Sequence, residues 1–319
     1  MVRHIEVIGA QGTRLAAWDF TGSTASTESA GPAASAGPAA SAGPVASAGP
    51  VASAGPVPSP PGVLLLHGLL GRASTWAPAA RFLAPHHRTV ALDQRGHGDS
   101  DRPAEPSAYS LEAHVGDAEA ALEQLGAGPA VLVGHGMGAL TAWRLAARRP
   151  DLVRALVVCD TRAAALGGAA REEQRRWLDS WPLPFASPDA ARRWFGEQDP
   201  SLERPCPARG DFHAELLERR PDGWWPGFSP DHVMATLDAW VYDAHWDDLA
   251  QVPCPALVVR GVDGQLGRAE AQEMVRVLPR GRYAEVPGAG PLLHYGQPDA
   301  WYAAVAPFLA EHSLPAPSH

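Results

Sequence analysis

The chain contains no lysine and no asparagine, and isoleucine occurs only at Ile5 and Ile8. These residue types use A/T-rich codons, so their scarcity reads as GC-rich coding, and the all-arginine set of cations follows from that before it follows from any function. The 26 basic residues are outnumbered by 35 acidic ones, and the formal net charge of -9 leaves no basic face for nucleic acid. Cys159, Cys206 and Cys254 lie far apart with no C-x-x-C pair, which excludes a disulfide framework and a zinc knuckle. The 13 histidines form no H-x-x-x-H or H-x-x-E-H ligand pair, so no metal is expected, and no other cofactor is called for. No stretch approaches the roughly 18 apolar residues of a membrane span. Residues 1–10 read as a strand and lack the apolar core of a signal peptide. The expectation is a soluble cytoplasmic protein with no nucleic-acid or membrane partner.

What is present is ordinary for a globular protein: 319 residues, 45% hydrophobic and 19% charged. Residues 30–59 are the exception, five tandem copies of the unit AGP-A/V-A/P-S. Such a segment cannot bury a core and proline breaks any helix within it, so residues 30–61 read as a disordered loop. On either side, apolar runs and helical patterns alternate. His4–Ile8 and Arg14–Phe20 read as a hairpin within residues 1–29. Val63–His67, Thr89–Asp93, Ala130–Gly134 and Ala155–Asp160 read as buried strands within 62–160. Ala256–Arg260 and Arg282–Val286 continue them within 251–313, before a tail at 314–319. Leu111, Val115, Ala118, Leu122 and Leu125 share one helical face, and Gly138–Arg149, Arg268–Leu278 and Pro298–Glu311 read as further helices. The pattern predicts an α/β fold: a mostly parallel, twisted sheet of about eight strands with helices on both faces.

Residues 161–250 interrupt the alternation. They hold Trp177, Trp181, Trp194, Trp224, Trp225, Trp240 and Trp246, with helical pieces and no convincing buried strand. A helical, Trp-rich cap over the carboxyl ends of the strands is expected, with a small-molecule ligand beneath it. The same indoles also fit a role as the cap's own small core.

Four segments, read in order, resemble the α/β-hydrolase family with a helical cap. Leu64-Leu65-Leu66-His67-Gly68-Leu69 is similar to the strand and turn that supply one oxyanion-hole donor. Asp93-Gln94-Arg95-Gly96-His97-Gly98-Asp99-Ser100 matches a D-x-R-G-x-G-x-S turn. Gly134-His135-Gly136-Met137-Gly138 resembles the nucleophile elbow, G-x-S-x-G, in which a strained strand-to-helix turn presents a serine. Val286-Pro287-Gly288-Ala289-Gly290, followed by Gln297-Pro298, resembles the loop carrying the catalytic histidine.

The departures lie at the chemistry. The resemblance places the nucleophile at Gly136, which has no side chain, and the histidine at Pro291, which can neither accept nor return a proton. The glutamate common in the E-x-P that follows is replaced by Gly296. The family's acid register after Gly261 lands on Gln265, with Asp263 out of step, while some relatives draw the acid from the position of Asp160. His294 is the surviving candidate base, if its loop shifts by about a helical turn; otherwise it is a histidine packed at the start of the last helix. His135 is expected to point back into the sheet, and His67 and His97 to hold their turns. Cys159 reads as inert filling, and Asp93 as the anchor of the turn from Arg95 to Ser100. The backbone N–H groups of Leu69 and Met137, with His67, Gly68 and His135 around them, would still form an oxyanion hole at a helix N-terminus. Three functions fit: a silent binder of a small molecule or a partner protein; a cyclase, lyase or isomerase; or a hydrolase of esters or related carbonyl compounds rearranged around His294 and Asp160.

Overall fold

The structure is a computed structural model that describes residues 2–21, 62–126 and 128–312. The expectation of disorder at 30–61 and the tail at 314–319 lie outside the described residues. The chain opens with β1 (Arg3–Ile8) and β2 (Arg14–Asp19), then β3 (Val63–Leu66), α1 (Ala77–Leu83), β4 (Thr89–Leu92) and α2 (Leu111–Gln124). Next come β5 (Ala130–His135), α3 (Met137–Arg148) and β6 (Val153–Cys159). The region 161–250 contributes α4 (Gly167–Asp179), α5 (Pro188–Arg193), α6 (Pro207–Glu215), β7 (Leu217–Arg220), β8 (Gly223–Pro226), α7 (Pro230–Asp238) and α8 (Trp246–Ala250). The chain then adds β9 (Ala256–Gly261), α9 (Arg268–Val277), β10 (Gly281–Val286), α10 (Leu293–Gly296) and α11 (Pro298–His312).

Among the described residues, eight strands form one sheet in the order β1-β2-β4-β3-β5-β6-β9-β10. β1, β2 and β4 pair antiparallel, and every pairing from β4 to β10 is parallel. The α/β expectation holds, with strand ends within about two residues of the sequence reading. Alternation sorts each strand's side chains onto two faces. Leu64, Leu66, Leu132, Leu156 and Val258 pack with residues of α2, α3 and α9. Val63, Leu65, Val131, Val157 and Val259 pack with α1 and α11 on the other face. Strands covered on both sides need apolar residues at every position, and Leu64, Leu65 and Leu66 are each fully buried, worth roughly 1.5–3 kcal/mol apiece.

One expectation needs correction. The region 161–250 is not purely helical, because β7 and β8 form an antiparallel ribbon. Pro221 and Asp222 turn the chain, and Gly223 takes a φ of 148°, a conformation side-chain-bearing residues avoid. Trp181, Phe185, Phe195, Phe212 and Phe228 bury one another in a separate aromatic core, against which Leu69, Leu70, Leu292 and Tyr295 pack. Leu69, Leu70 and Leu292 lie on the loops after β3 and β10 and Tyr295 on the short α10 that follows, so this core sits at the carboxyl ends of the strands.

Candidate functional site

The site is built where β5 ends and α3 begins. Gly136 has φ 52° and ψ -124°, the strained turn that the elbow motif requires. A carbon added at Gly136 would meet only Gly68 Cα, at 3.5 Å, an ordinary contact. The neighbouring glycines serve packing. A carbon at Gly138 would come within 2.6 Å of the His67 carbonyl oxygen, and one at Gly134 within 2.5 Å of Ala139 Cα. Strand and helix approach closely only because both positions lack side chains. The elbow is also pinned from β6, since Thr161 Oγ1 donates to the Gly136 carbonyl at 3.1 Å. Nothing in the sequence singled out Thr161.

The turn after β3 supplies the opposite wall. His67 Nδ1 donates to the Gly68 carbonyl at 2.8 Å, and its Nε2 accepts from the Gln94 N–H at 3.0 Å. His97 hydrogen-bonds through Nδ1 to the Arg95 carbonyl and through Nε2 to the Leu69 carbonyl. Both rings hold turns, as expected. Asp93 accepts from the N–H groups of Ala73 (2.5 Å) and Asp99 (3.0 Å), so it braces this turn as well as its own. Beneath it, Arg95 and Asp117 form a fully buried two-point ion pair at 2.6 and 2.7 Å. Among the described residues, neither the Leu69 nor the Met137 N–H finds an acceptor. Two free backbone donors, Met137 at a helix start and Leu69 on the loop after β3, are the elements of an oxyanion hole. Leu69, Leu70, His135 and Gly136 remain partly accessible in otherwise buried surroundings.

His135 is a correction: its ring does not turn back into the sheet. Nε2 donates to the Pro291 carbonyl at 2.9 Å, and Nδ1 would lie 2.7 Å from a carbon placed on Gly68. The ring therefore bridges the turn after β3 and the loop after β10. Burial pushes it down to about 4. His294 stands beside it, ring centroids 4.8 Å apart, with Trp76 on another side at 4.0 Å. It is only 1% exposed, its Nδ1 has no partner, and burial holds it well below the ordinary imidazole value. It belongs to the short α10 rather than to the start of the last helix, and it reaches the elbow's neighbourhood without a helical-turn shift of its loop.

Asp160 does not join these rings. It takes a φ of 45°, and its carboxylate accepts from the N–H groups of Gln265 (2.8 Å) and Leu266 (3.3 Å). A carbon at Gly264 would collide with it, so the loop after β9 is wrapped around this carboxylate. Burial raises Asp160 to about 6 against the pull of those donors. Asp263 is exposed and pairs with Arg204 at 2.8 Å. Pro291 is itself exposed. Cys159 is buried with its thiol pushed up to about 12, accepting from Trp301 Nε1 at 3.4 Å, which fits filling rather than reactivity. The structure thus gathers Gly68, Leu69, His135, Gly136, Met137, Pro291 and His294, and leaves Asp160 outside. Among the described residues no group of three or more potential ligands could hold a metal ion, and no helix is long and apolar enough to cross a membrane.

Comparison with known proteins fits this geometry. A model of the alpha/beta hydrolase fold matches residues 61–297. The chain is 29% identical over 213 residues to (E)-2-((N-methylformamido)methylene)succinate hydrolase of Acinetobacter baylyi, covering 65% of this chain and 74% of that one. It is 44% identical over 100 residues to epoxide hydrolase 2 of Siraitia grosvenorii, a match spanning about a third of each chain (31% and 32%). The crystal structure of E-2-(acetamidomethylene)succinate hydrolase superimposes with a TM-score of 0.75 at 22% identity, covering 97% of this chain and all of that one.

Proposed function

The chain belongs to the α/β-hydrolase fold family, and from that premise we propose that this member binds a small molecule beneath the region 161–250 without hydrolysing it. Its nucleophile and histidine positions are Gly136 and Pro291, so the triad of a hydrolase is degenerate here. The ligand presents an oxygen, as carbonyl, carboxylate, phenolate or enolate, to the N–H groups of Leu69 and Met137.

One observation carries the reading. Gly136 keeps the elbow conformation with room for a Cβ beside it and no atom to attack with. Electrostatic stabilisation survives the loss of a nucleophile because backbone dipoles, not side chains, supply it. Covalent acyl transfer does not survive, since no other group here can make the first bond. His294 and Asp160 do not form a replacement pair, for the first is sealed against Trp76 and the second is saturated by backbone donors. Two of the proteins compared above are named for substituted succinates, and small oxygen-rich molecules of that kind suit such a hole. Fold alone does not decide function, so the argument rests on the site.

The test is hydrolysis of a panel of activated esters by the natural protein beside a Gly136→Ser/Pro291→His double variant. The expected result is background rates for the natural protein and measurable turnover for the double variant. Turnover by the natural protein well above background would overturn the proposal, and His294 would be the first residue to remove.

A further inference from the structure

Resting on the binding reading above, we propose that the site selects a ligand carrying a hydrogen-bond donor beside its carbonyl, a primary or secondary carboxamide, with His135 Nδ1 as the acceptor.

The Pro291 carbonyl can only accept, so the 2.9 Å contact requires a proton on His135 Nε2. In the neutral ring the other nitrogen then carries a lone pair. Among the described residues nothing donates to Nδ1, and the half-buried ring leaves it within reach of a bound molecule.

The ring stays neutral for a geometric reason. His294 lies 4.8 Å away with its own Nδ1 unpartnered and only 1% of its surface exposed. Two imidazoles that close, one of them sealed from water, repel each other if both take up protons. Burial of His135 acts in the same direction.

His135 Nδ1 borders Gly68, and the next peptide in the chain carries the Leu69 N–H of the hole. The open position beside Gly136 borders the same Gly68 Cα at 3.5 Å. Gly68 is thus the common neighbour of the imidazole acceptor, the Leu69 donor and the elbow that ends at the Met137 donor. A carboxamide satisfies all three, its oxygen taking the N–H groups and its N–H meeting Nδ1. A carboxylate or an ester satisfies the donors and leaves the lone pair of Nδ1 unpaired. A site built to hydrogen-bond a donor rejects the analogue that lacks it.

The experiment measures binding of benzamide and N,N-dimethylbenzamide by calorimetry at pH 7, to the full chain and to His135→Leu. Circular dichroism confirms that the variant is folded. The natural protein should prefer benzamide by about tenfold, the effect of one hydrogen bond, and the variant should bind both equally. Nitrogen-15 NMR of the natural protein, which needs no variant, should show His135 protonated at Nε2 and bare at Nδ1. Equal affinities for the two probes in the natural protein, or a proton on Nδ1, would overturn the selection while leaving the binding reading standing. Absence of binding by either probe would overturn both.

Discussion

Replacing Gly136 by alanine isolates the strain stored in the elbow. With φ at 52°, a residue bearing a Cβ is strained by about 1–2 kcal/mol. The added carbon meets only Gly68 Cα at 3.5 Å, so no steric contribution is expected. Alanine also restricts the unfolded chain, which offsets about 0.4–1 kcal/mol. The net loss should be about 1 kcal/mol, and serine should behave alike. Gly138→Ala and Gly134→Ala supply the contrast, because their added carbons run into backbone, at 2.6 Å from the His67 carbonyl oxygen and 2.5 Å from Ala139 Cα. Backbone cannot rotate away, so these variants should lose more than about 4 kcal/mol or fail to accumulate as folded protein. Urea unfolding of the three variants and the parent, with slopes compared to confirm a common mechanism, reads the difference. The reasoning is refuted if Gly136→Ala is as damaging as Gly138→Ala, since the open space beside the elbow would then not exist. It is equally refuted if Gly134→Ala and Gly138→Ala are near neutral.

Acid should weaken the fold. Burial pushes His213 down to about 3, and it holds His67, His114 and His294 well below the usual value. A histidine whose folded value lies beneath its unfolded one contributes stability that is complete above about pH 6.5 and lost as pH falls, about 3 kcal/mol by pH 4 for His213 alone. Asp160 runs the other way. Its folded value near 6 exceeds the unfolded 3.8, so its contribution is complete below the unfolded value and disappears as pH rises through 6. Four histidines outweigh one aspartate, so the urea midpoint should fall between pH 7 and 4, and Asp160→Asn should steepen that fall; a midpoint that rises would contradict both statements. Asp117→Ala should cost about 3–5 kcal/mol by leaving the Arg95 guanidinium buried and unpaired. An Asp117→Leu/Arg95→Met variant should recover most of that in the same assay, and a double variant no more stable than Asp117→Ala would refute the pairing argument.

Local chemistry reaches the sequence reader directly, and much of this protein is local. Fully apolar runs such as Val63–Leu66 announced strands covered on both faces, because only such strands tolerate a leucine at every position. Glycines at 134, 136 and 138 announced the elbow, because each answers a separate local demand of a tight strand-to-helix turn. What the sequence left open were relations between distant segments. His135 was expected to face the sheet by alternation, but the strand ends there, and the loop after β10, 156 residues further along, provides the carbonyl that turns the ring toward Gly68. His294 stood as the candidate base and Asp160 as a candidate for the acid position. Tertiary packing separated them, closing Trp76 over one and wrapping the backbone of Gln265 and Leu266 around the other. The sequence by itself determined the elements and the elbow, since these follow from backbone freedom and side-chain polarity within a few residues. Only the tertiary structure decided which polar groups remain unpaired around the elbow, because hydrogen bonds between loops far apart in the chain set that.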